Sequence, residues 1–152
     1  MLLNLLTGLP VMLLCLLLQA IFMAKCLRHY VRFRHAQQGR ESQLLDILLL
    51  SMVMLLMLLM LLGNFVQMAI WAALFMLLGE FGDFATALYH SGVNFATLGY
   101  GDIVMSARWR LLGPLEAANG ILMFGVSTSV MTAAVMDVIK LNMARLQQSE
   151  RP

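Results

Sequence analysis

Three long apolar runs dominate the hydropathy pattern of the chain: Leu2 to Ala24, Leu44 to Leu78 and Leu111 to Ile139. A helix crosses a bilayer in about 20 apolar residues, so each run is long enough to span one. The pattern predicts an all-α membrane protein. Its expected segments are an N-terminal transmembrane helix over 1–26, a basic cytoplasmic link over 27–43 and a second transmembrane helix over 44–80. A re-entrant short helix and loop over 83–102, a third transmembrane helix over 111–139 and a short cytoplasmic tail over 140–152 complete the chain. The second run exceeds what one perpendicular crossing needs, so it must tilt, extend beyond the hydrocarbon or bend near Gly63 and Asn64. No charged turn divides it, which favours one long, slightly bent helix over two.

Of 152 residues, 61% are hydrophobic and 12% are charged, a balance that excludes an ordinary soluble domain. The charges are unevenly placed. Lys25, Arg28, Arg32, Arg34 and Arg40 make the stretch after the first run the most basic in the chain, and basic residues collect on the cytoplasmic side of a membrane protein. This puts the amino terminus outside, runs the second span outward and returns the carboxyl terminus to the cytoplasm of a cell membrane, plasma or inner. Lys140, Arg145 and Arg151 in the tail agree, whereas Arg108 and Arg110 fall near the outer surface against the trend. The first run read as a cleaved signal peptide ending at Ala20 to Ala24 would lack a basic leading region and be too long in its apolar part. Arg28, Arg32 and Arg34 do not form the every-third-residue array of a voltage sensor; topology and contact with anionic lipid explain them. Cys15 and Cys26 suggest no disulfide framework, and His29, His35 and His90 have no metal-ligand spacing.

Against this background stand Thr97-Leu98-Gly99-Tyr100-Gly101-Asp102. Turning successive backbone carbonyls the same way forces some residues to positive φ, which glycine reaches without a Cβ clash. Gly99 and Gly101 occupy the places where this is needed. A row of such carbonyls, repeated around an axis, replaces the water around a dehydrated cation. The six residues read as a potassium selectivity filter, with K+ held by the backbone carbonyls of Thr97, Leu98, Gly99 and Tyr100. The Thr97 hydroxyl adds an oxygen at the inner end, and Tyr100 is placed to wedge outward against neighbouring aromatics. One chain supplies a quarter of the cage, so a homotetrameric pore is expected. Asp83 to Ala96 has the length of a short helix, in which Ala87, Leu88 and Ser91 suit close packing. Its carboxyl end would direct partial negative charge at a cation.

From about Gly79 to Val135 the chain resembles the pore module of the two-transmembrane potassium channel superfamily, and most of all its small prokaryotic, two-pore-domain-like members. The residues that carry the resemblance are Ala87 to Ser91 in the short helix, Phe95 to Asp102 at the loop, and Trp109 to Gly120 at the start of the third span. The resemblance implies a tetramer passing potassium down its electrochemical gradient, with the second span as outer helix and the third as pore-lining inner helix. It does not cover the first span or the basic link. Tyr89 and His90 stand where many members have two tryptophans, and Val93 where some carry a carboxylate behind the filter. Leu98 replaces the more usual Val, and Ala96 a more common Thr or Ser.

Asp102 is suited to hydrogen-bond into the short-helix layer and to present charge at the mouth, or simply to form a turn. Four copies of Glu80 and Asp83 would make an acidic rim that concentrates cations. Gly120 and Gly125 in the third span are candidate gating hinges, or sites of close helix packing. Ser127, Thr128, Ser129 and Thr132 have spacings that would expose some hydroxyls to a water-filled cavity. Glu116 is expected to interact with the start of its helix, with pairing to Arg108 or Arg110 and bracing of the short helix as alternatives. Asp137 would attract cations at the cytoplasmic end or pair with Lys140 one turn on. Asp46 is expected to meet the basic link, and the first span to brace the second as an antiparallel hairpin.

The expected function is a potassium-selective channel subunit, with a weakly selective cation channel or a non-conducting assembly subunit as alternatives. No nucleophile-base pair or metal cluster points to an enzyme. The expected partners are further copies of the chain, membrane lipid and potassium ions, with no nucleic acid and no cofactor beyond the permeant K+.

Overall fold

A computed structural model of the chain describes residues 1–36 and 43–149. It contains four helices, α1 (Leu2–Ala36), α2 (Gln43–Leu77), α3 (Phe84–Phe95) and α4 (Leu112–Ser149), and no strand among the described residues. Three of them hold segments long and apolar enough to cross a membrane: Leu2–Phe33, Leu50–Leu77 and Leu112–Lys140. The all-α architecture with three spans agrees with the hydropathy pattern, but two boundaries differ from it. The basic stretch expected to be a link from residue 27 is helical to Ala36, and the third span continues as helix to Ser149, past residue 139. Leu, Met, Lys, Arg and Gln are strong helix formers, and extending an existing helix adds a hydrogen bond for each residue fixed. The end of an apolar run therefore marks the edge of the hydrocarbon and not the end of the helix.

Each turn of the chain has a local cause. Gly79, at φ 76°, terminates α2 by placing the Gly79 N–H on the Met76 carbonyl at 2.9 Å and the Glu80 N–H on the Phe75 carbonyl at 3.0 Å. This is the paired bond pattern of a glycine-ended helix. Asp83, in extended conformation, starts α3 by accepting the Thr86 N–H at 2.8 Å. Across Gly63 and Asn64 α2 is uninterrupted. Gly63 instead gives α1 room: a Cβ there would lie 3.3 Å from Gln19 Oε1 and 3.5 Å from the Phe22 ring.

Side-chain contacts fix the directions of the helices. Asn4 Nδ2 donates to the Arg108 carbonyl at 2.8 Å, Gln19 Nε2 to Ser127 Oγ at 3.2 Å, and the Tyr30 hydroxyl to Asp137 Oδ2 at 3.0 Å. These pairs advance together along α1 and toward the end of α4, so the two helices run parallel. Gln67 Nε2 donates to Gln19 Oε1 at 2.9 Å, and Gly63 lies beside Phe22, so α2 runs against both. The first span does form an antiparallel pair with α2, but it is bonded to α4 as well. The reason is chemical: an amide at membrane depth needs a partner, and Gln19 finds one on each neighbouring helix. Asp137, expected to attract cations or to pair with Lys140, has Tyr30 of α1 among its partners.

Two buried cores stabilise the bundle. One gathers Cys15, Trp71, Phe75, Phe95, Leu112 and Met123 beneath α3, and the other gathers Tyr30, Val53, Leu56, Met60 and Ala134 toward the opposite end. Where α4 crosses the end of α3, a Cβ on Gly120 would overlap the Phe95 carbonyl oxygen. Gly120, a candidate hinge, is thus a close-packing position. Gly125 has open space around it. The side chains of Arg34, His35, Arg40, Asp46, Arg145 and Arg151 lie outside the described residues, and with them the expected meeting of Asp46 and the basic stretch.

Gly120→Ala should destabilise the protein by about 1–3 kcal/mol, the usual cost of forcing an extra methyl into a packed site. Gly125→Ala should be neutral or stabilising, because alanine gains about 1 kcal/mol of helix propensity over glycine. Thermal unfolding of both variants in one detergent checks the contrast.

Candidate functional site

The polar residues of the chain converge on α3 and the loop that follows it. Glu80 lies ahead of α3, and its carboxylate accepts the Ser106 N–H at 2.6 Å and the Ser106 hydroxyl at 2.7 Å. The segment entering α3 is thereby clamped to the segment leaving the loop. At the far end of the helix, the Ala96 N–H bonds the Gly92 carbonyl at 3.0 Å, the Thr97 N–H the Asn94 carbonyl at 2.8 Å, and the Leu98 N–H the Val93 carbonyl at 2.8 Å. The donors at the start of the loop are consumed by the helix end.

Thr97, Gly99 and Gly101 have φ of 58°, 59° and 73°, while Leu98 and Tyr100 between them are not in the left-handed region. Handedness alternates residue by residue over five positions. Glycine explains two of the three left-handed residues; Thr97 does not fit that explanation, since a β-branched residue at such φ is strained by about 1–3 kcal/mol. The bonds made by the Thr97 and Leu98 amides to the end of α3 hold it there.

A network ties the loop to α3 from behind. The Tyr89 hydroxyl donates to Asp102 Oδ2 at 2.7 Å, and Asp102 Oδ1 accepts the Ile103 N–H at 3.0 Å. His90 Nδ1 lies 2.9 Å from the Ile103 carbonyl, and His90 Nε2 lies 2.9 Å from Asn94 Nδ2. A carbonyl only accepts, so Nδ1 carries the proton and Nε2 accepts from the amide. The imidazole is gripped by Phe75 and Phe81, with ring centroids 5.6 and 5.0 Å away. Between this network and α4 lies a cavity of about 200 Å³, which His90, Asn94 and Arg110 line on their polar sides.

One layer deeper, the buried Ser91 hydroxyl bonds the Met68 carbonyl at 2.8 Å and the Glu116 carboxyl. Glu116 is fully buried. Of the three roles expected for it, the structure shows the brace to the short helix and no pairing with Arg108 or Arg110 among the described contacts. Asp83, expected on an acidic rim, is engaged as the cap of α3, and Glu80 in the Ser106 clamp.

The structure thus brings together Tyr89, His90, Val93, Thr97, Gly99, Gly101, Asp102 and Glu116 around one loop, with Gly120 directly below. Gly125 and Asp137 lie apart on α4, and Asp137 is at the end remote from the loop. Leu98 and Tyr100 are exposed in the single chain, and Tyr100 makes no aromatic contact within it. Asn94, Ser106 and the amides Gln19 and Gln67 are members of these networks that the sequence pattern did not single out. An uncharged amide inside an apolar run was the available signal, because burying one without a partner costs energy as burying a charge does.

The Tyr89 hydroxyl, followed by the Ile103 N–H, holds the Asp102 carboxyl below its usual value of 3.8. A carboxyl lowered in this way contributes stability that is complete above 3.8 and is lost as pH falls through its lowered value. The latch between Asp102 and α3 should therefore be insensitive to pH from 5 to about 8 and open only in stronger acid. Tyr89→Phe should raise the Asp102 value toward 3.8. A carboxyl ¹³C NMR titration reads it directly, and an unchanged value would remove Tyr89 from the latch.

The family model described as ion channel matches residues 61–137, from the middle of α2 through the loop to the last third of α4. That match covers just over half of the chain and includes every residue of the network around the loop. Searches of curated proteins and of solved structures return no match. Three apolar helices and this match make the chain an integral membrane protein whose function lies with channels and not with enzymes. The chain belongs to the ion channel family.

Proposed function

We propose that the chain is one subunit of a potassium-selective channel, and that four copies surround an axis lined by the loop Thr97 to Asp102. The observation that carries this reading is the alternation of handedness at Thr97, Gly99 and Gly101. Alternating left- and right-handed residues turns successive peptide planes the same way, so the carbonyls of Thr97, Leu98, Gly99 and Tyr100 form a row. Four rows supply the oxygen cage that replaces the hydration shell of K+. Support comes also from the way the loop is held: every bond to it arrives from α3 or from its own flank, which leaves the opposite side free to face an axis.

In this reading α2 is the outer helix, α3 the pore helix and α4 the inner helix. The carboxyl end of α3 directs partial negative charge toward the ion, and Asp102 presents charge at the mouth. Leu98 and Tyr100, exposed in one chain, would be covered by neighbouring copies. Lys25, Arg28 and Arg32 lie toward the end of α1 remote from the loop, which supports a cytoplasmic location for that end and an outward-facing filter in a plasma or inner membrane. The similarity of the loop and its flanks to small prokaryotic, two-pore-domain-like channels points the same way.

Flux into liposomes containing the purified protein tests the proposal. Potassium should enter well in excess of sodium. Gly99→Ala and Gly101→Ala should abolish the flux, because each places a Cβ on a left-handed residue at roughly 1–2 kcal/mol per subunit, repeated four times around the axis. Equal potassium and sodium flux would assign a weakly selective cation channel. A failure of all flux would leave a closed gate or a non-conducting assembly subunit.

A further inference from the structure

Toward the end remote from the glycine loop, a cavity lies between α1 and α2. At mid-length they touch closely, with Gly63 against Gln19 and Phe22. Beyond that contact the cavity has a volume of about 480 Å³, within the roughly 300–1,000 Å³ range of ligand sites. Its α2 wall is apolar and includes Met52, Leu55 and Leu59; Tyr30 and Phe33 add aromatic surface from α1, and His29 and Arg32 add its basic groups. The apolar span of α1 ends at Phe33 and that of α2 begins at Leu50, so the cavity sits where the bilayer meets its surface.

Among the described residues the charge beside it is mainly basic, the one acid nearby, Asp137, being bonded to the Tyr30 hydroxyl. Lys25, Arg28, His29 and Arg32 are spaced i, i+3, i+4, i+7 and so share one face of α1, next to the apolar wall. Among the described residues no acidic side chain pairs with Lys25, Arg28 or Arg32. A water-filled cleft would leave the α2 leucines wet, and a neutral apolar occupant would leave the cations unanswered. An occupant with a long apolar body and an anionic head satisfies both.

We propose that this cleft binds one anionic phospholipid, its phosphate at His29 and Arg32 and an acyl chain along Met52, Leu55 and Leu59. The site depends on α1 and α2 crossing a bilayer and is independent of ion conduction, so it stands or falls apart from the flux experiment.

Native mass spectrometry of the purified, delipidated protein with equal amounts of phosphatidylglycerol and phosphatidylcholine tests it. The wild-type protein should retain phosphatidylglycerol preferentially, at one lipid per chain. Arg32→Gln should reduce that preference about fivefold, the contribution of one basic residue near an anionic surface. Leu55→Trp, which fills the cavity, should remove bound lipid of both kinds, whereas Arg108→Gln at the opposite end should change nothing. Size-exclusion elution at the wild-type volume establishes that the variants are folded. Equal retention of the two lipids, an undiminished preference in Arg32→Gln, or full retention in Leu55→Trp would each overturn the site. Displacement of phosphatidylglycerol by an equal concentration of inorganic phosphate would overturn the lipid assignment in favour of a free anion.

Discussion

Backbone that is not helical survives at membrane depth only where protein satisfies it, because each unbonded N–H or C=O in hydrocarbon costs several kcal/mol. The stretch from Thr97 to Asp102 is not helical and lies between two membrane-spanning helices, and its neighbours are arranged to hold it. Its first amides are taken up by the end of α3, and Asp102 and Ile103 are latched to Tyr89 and His90. These bonds all reach the loop from the side of α3 or from its own flank. The strain of a threonine at φ 58° is tolerable in that setting and would not be in a free turn.

The hold on the loop is relayed through α3 to the long helices. One face of α4 does this, since Gly113, Glu116 and Gly120 recur at helical spacing. Gly113 lies beside the Asn94 side chain, Glu116 bonds Ser91, and Gly120 admits the Phe95 carbonyl. Two of these positions work by lacking a side chain and the third by having a buried acid. A larger residue at 120 would push α4 off α3, and the loop would lose its floor. On the other side, α2 contacts the Ser91 hydroxyl through the Met68 carbonyl and places Phe75 against His90. The loop geometry is therefore a property of the packed bundle.

The first helix extends this logic beyond the family match, which begins at residue 61. Gln19 and Tyr30 attach it to α4 at two levels, Asn4 bonds the turn just before α4, and Gln19 also engages Gln67 of α2. Hydrogen bonds between membrane helices are worth about 0.6–2 kcal/mol each, enough to select one docking position among many that are equally apolar. Apolar helix faces pack with little selectivity, so these few amides and hydroxyls define where α1 sits. The same docking leaves the cleft beside Tyr30 and Arg32 open toward the membrane surface.

Much of this was legible along the chain. Apolar runs are a local property, and they gave the three spans; Asp83 and Gly79 are local helix signals; and two glycines spaced by one residue marked the loop, because positive φ is a property of a single residue. The helices α1 and α4 run past the apolar stretches, since hydropathy reports the lipid boundary while helix propensity continues through Lys, Arg and Gln. Which polar groups meet was decided only by the tertiary structure. Ser91 and Glu116 are 25 residues apart, and Gln19 and Ser127 are 108 apart. Glu116 has equally plausible partners before and after it in sequence, and Gly120 serves a hinge as well as a contact until the neighbouring helix is in place. Sequence determines which residues can adopt a conformation or must find a partner; only the packing of distant helices determines which partner is within 3 Å, because that distance depends on how whole helices dock.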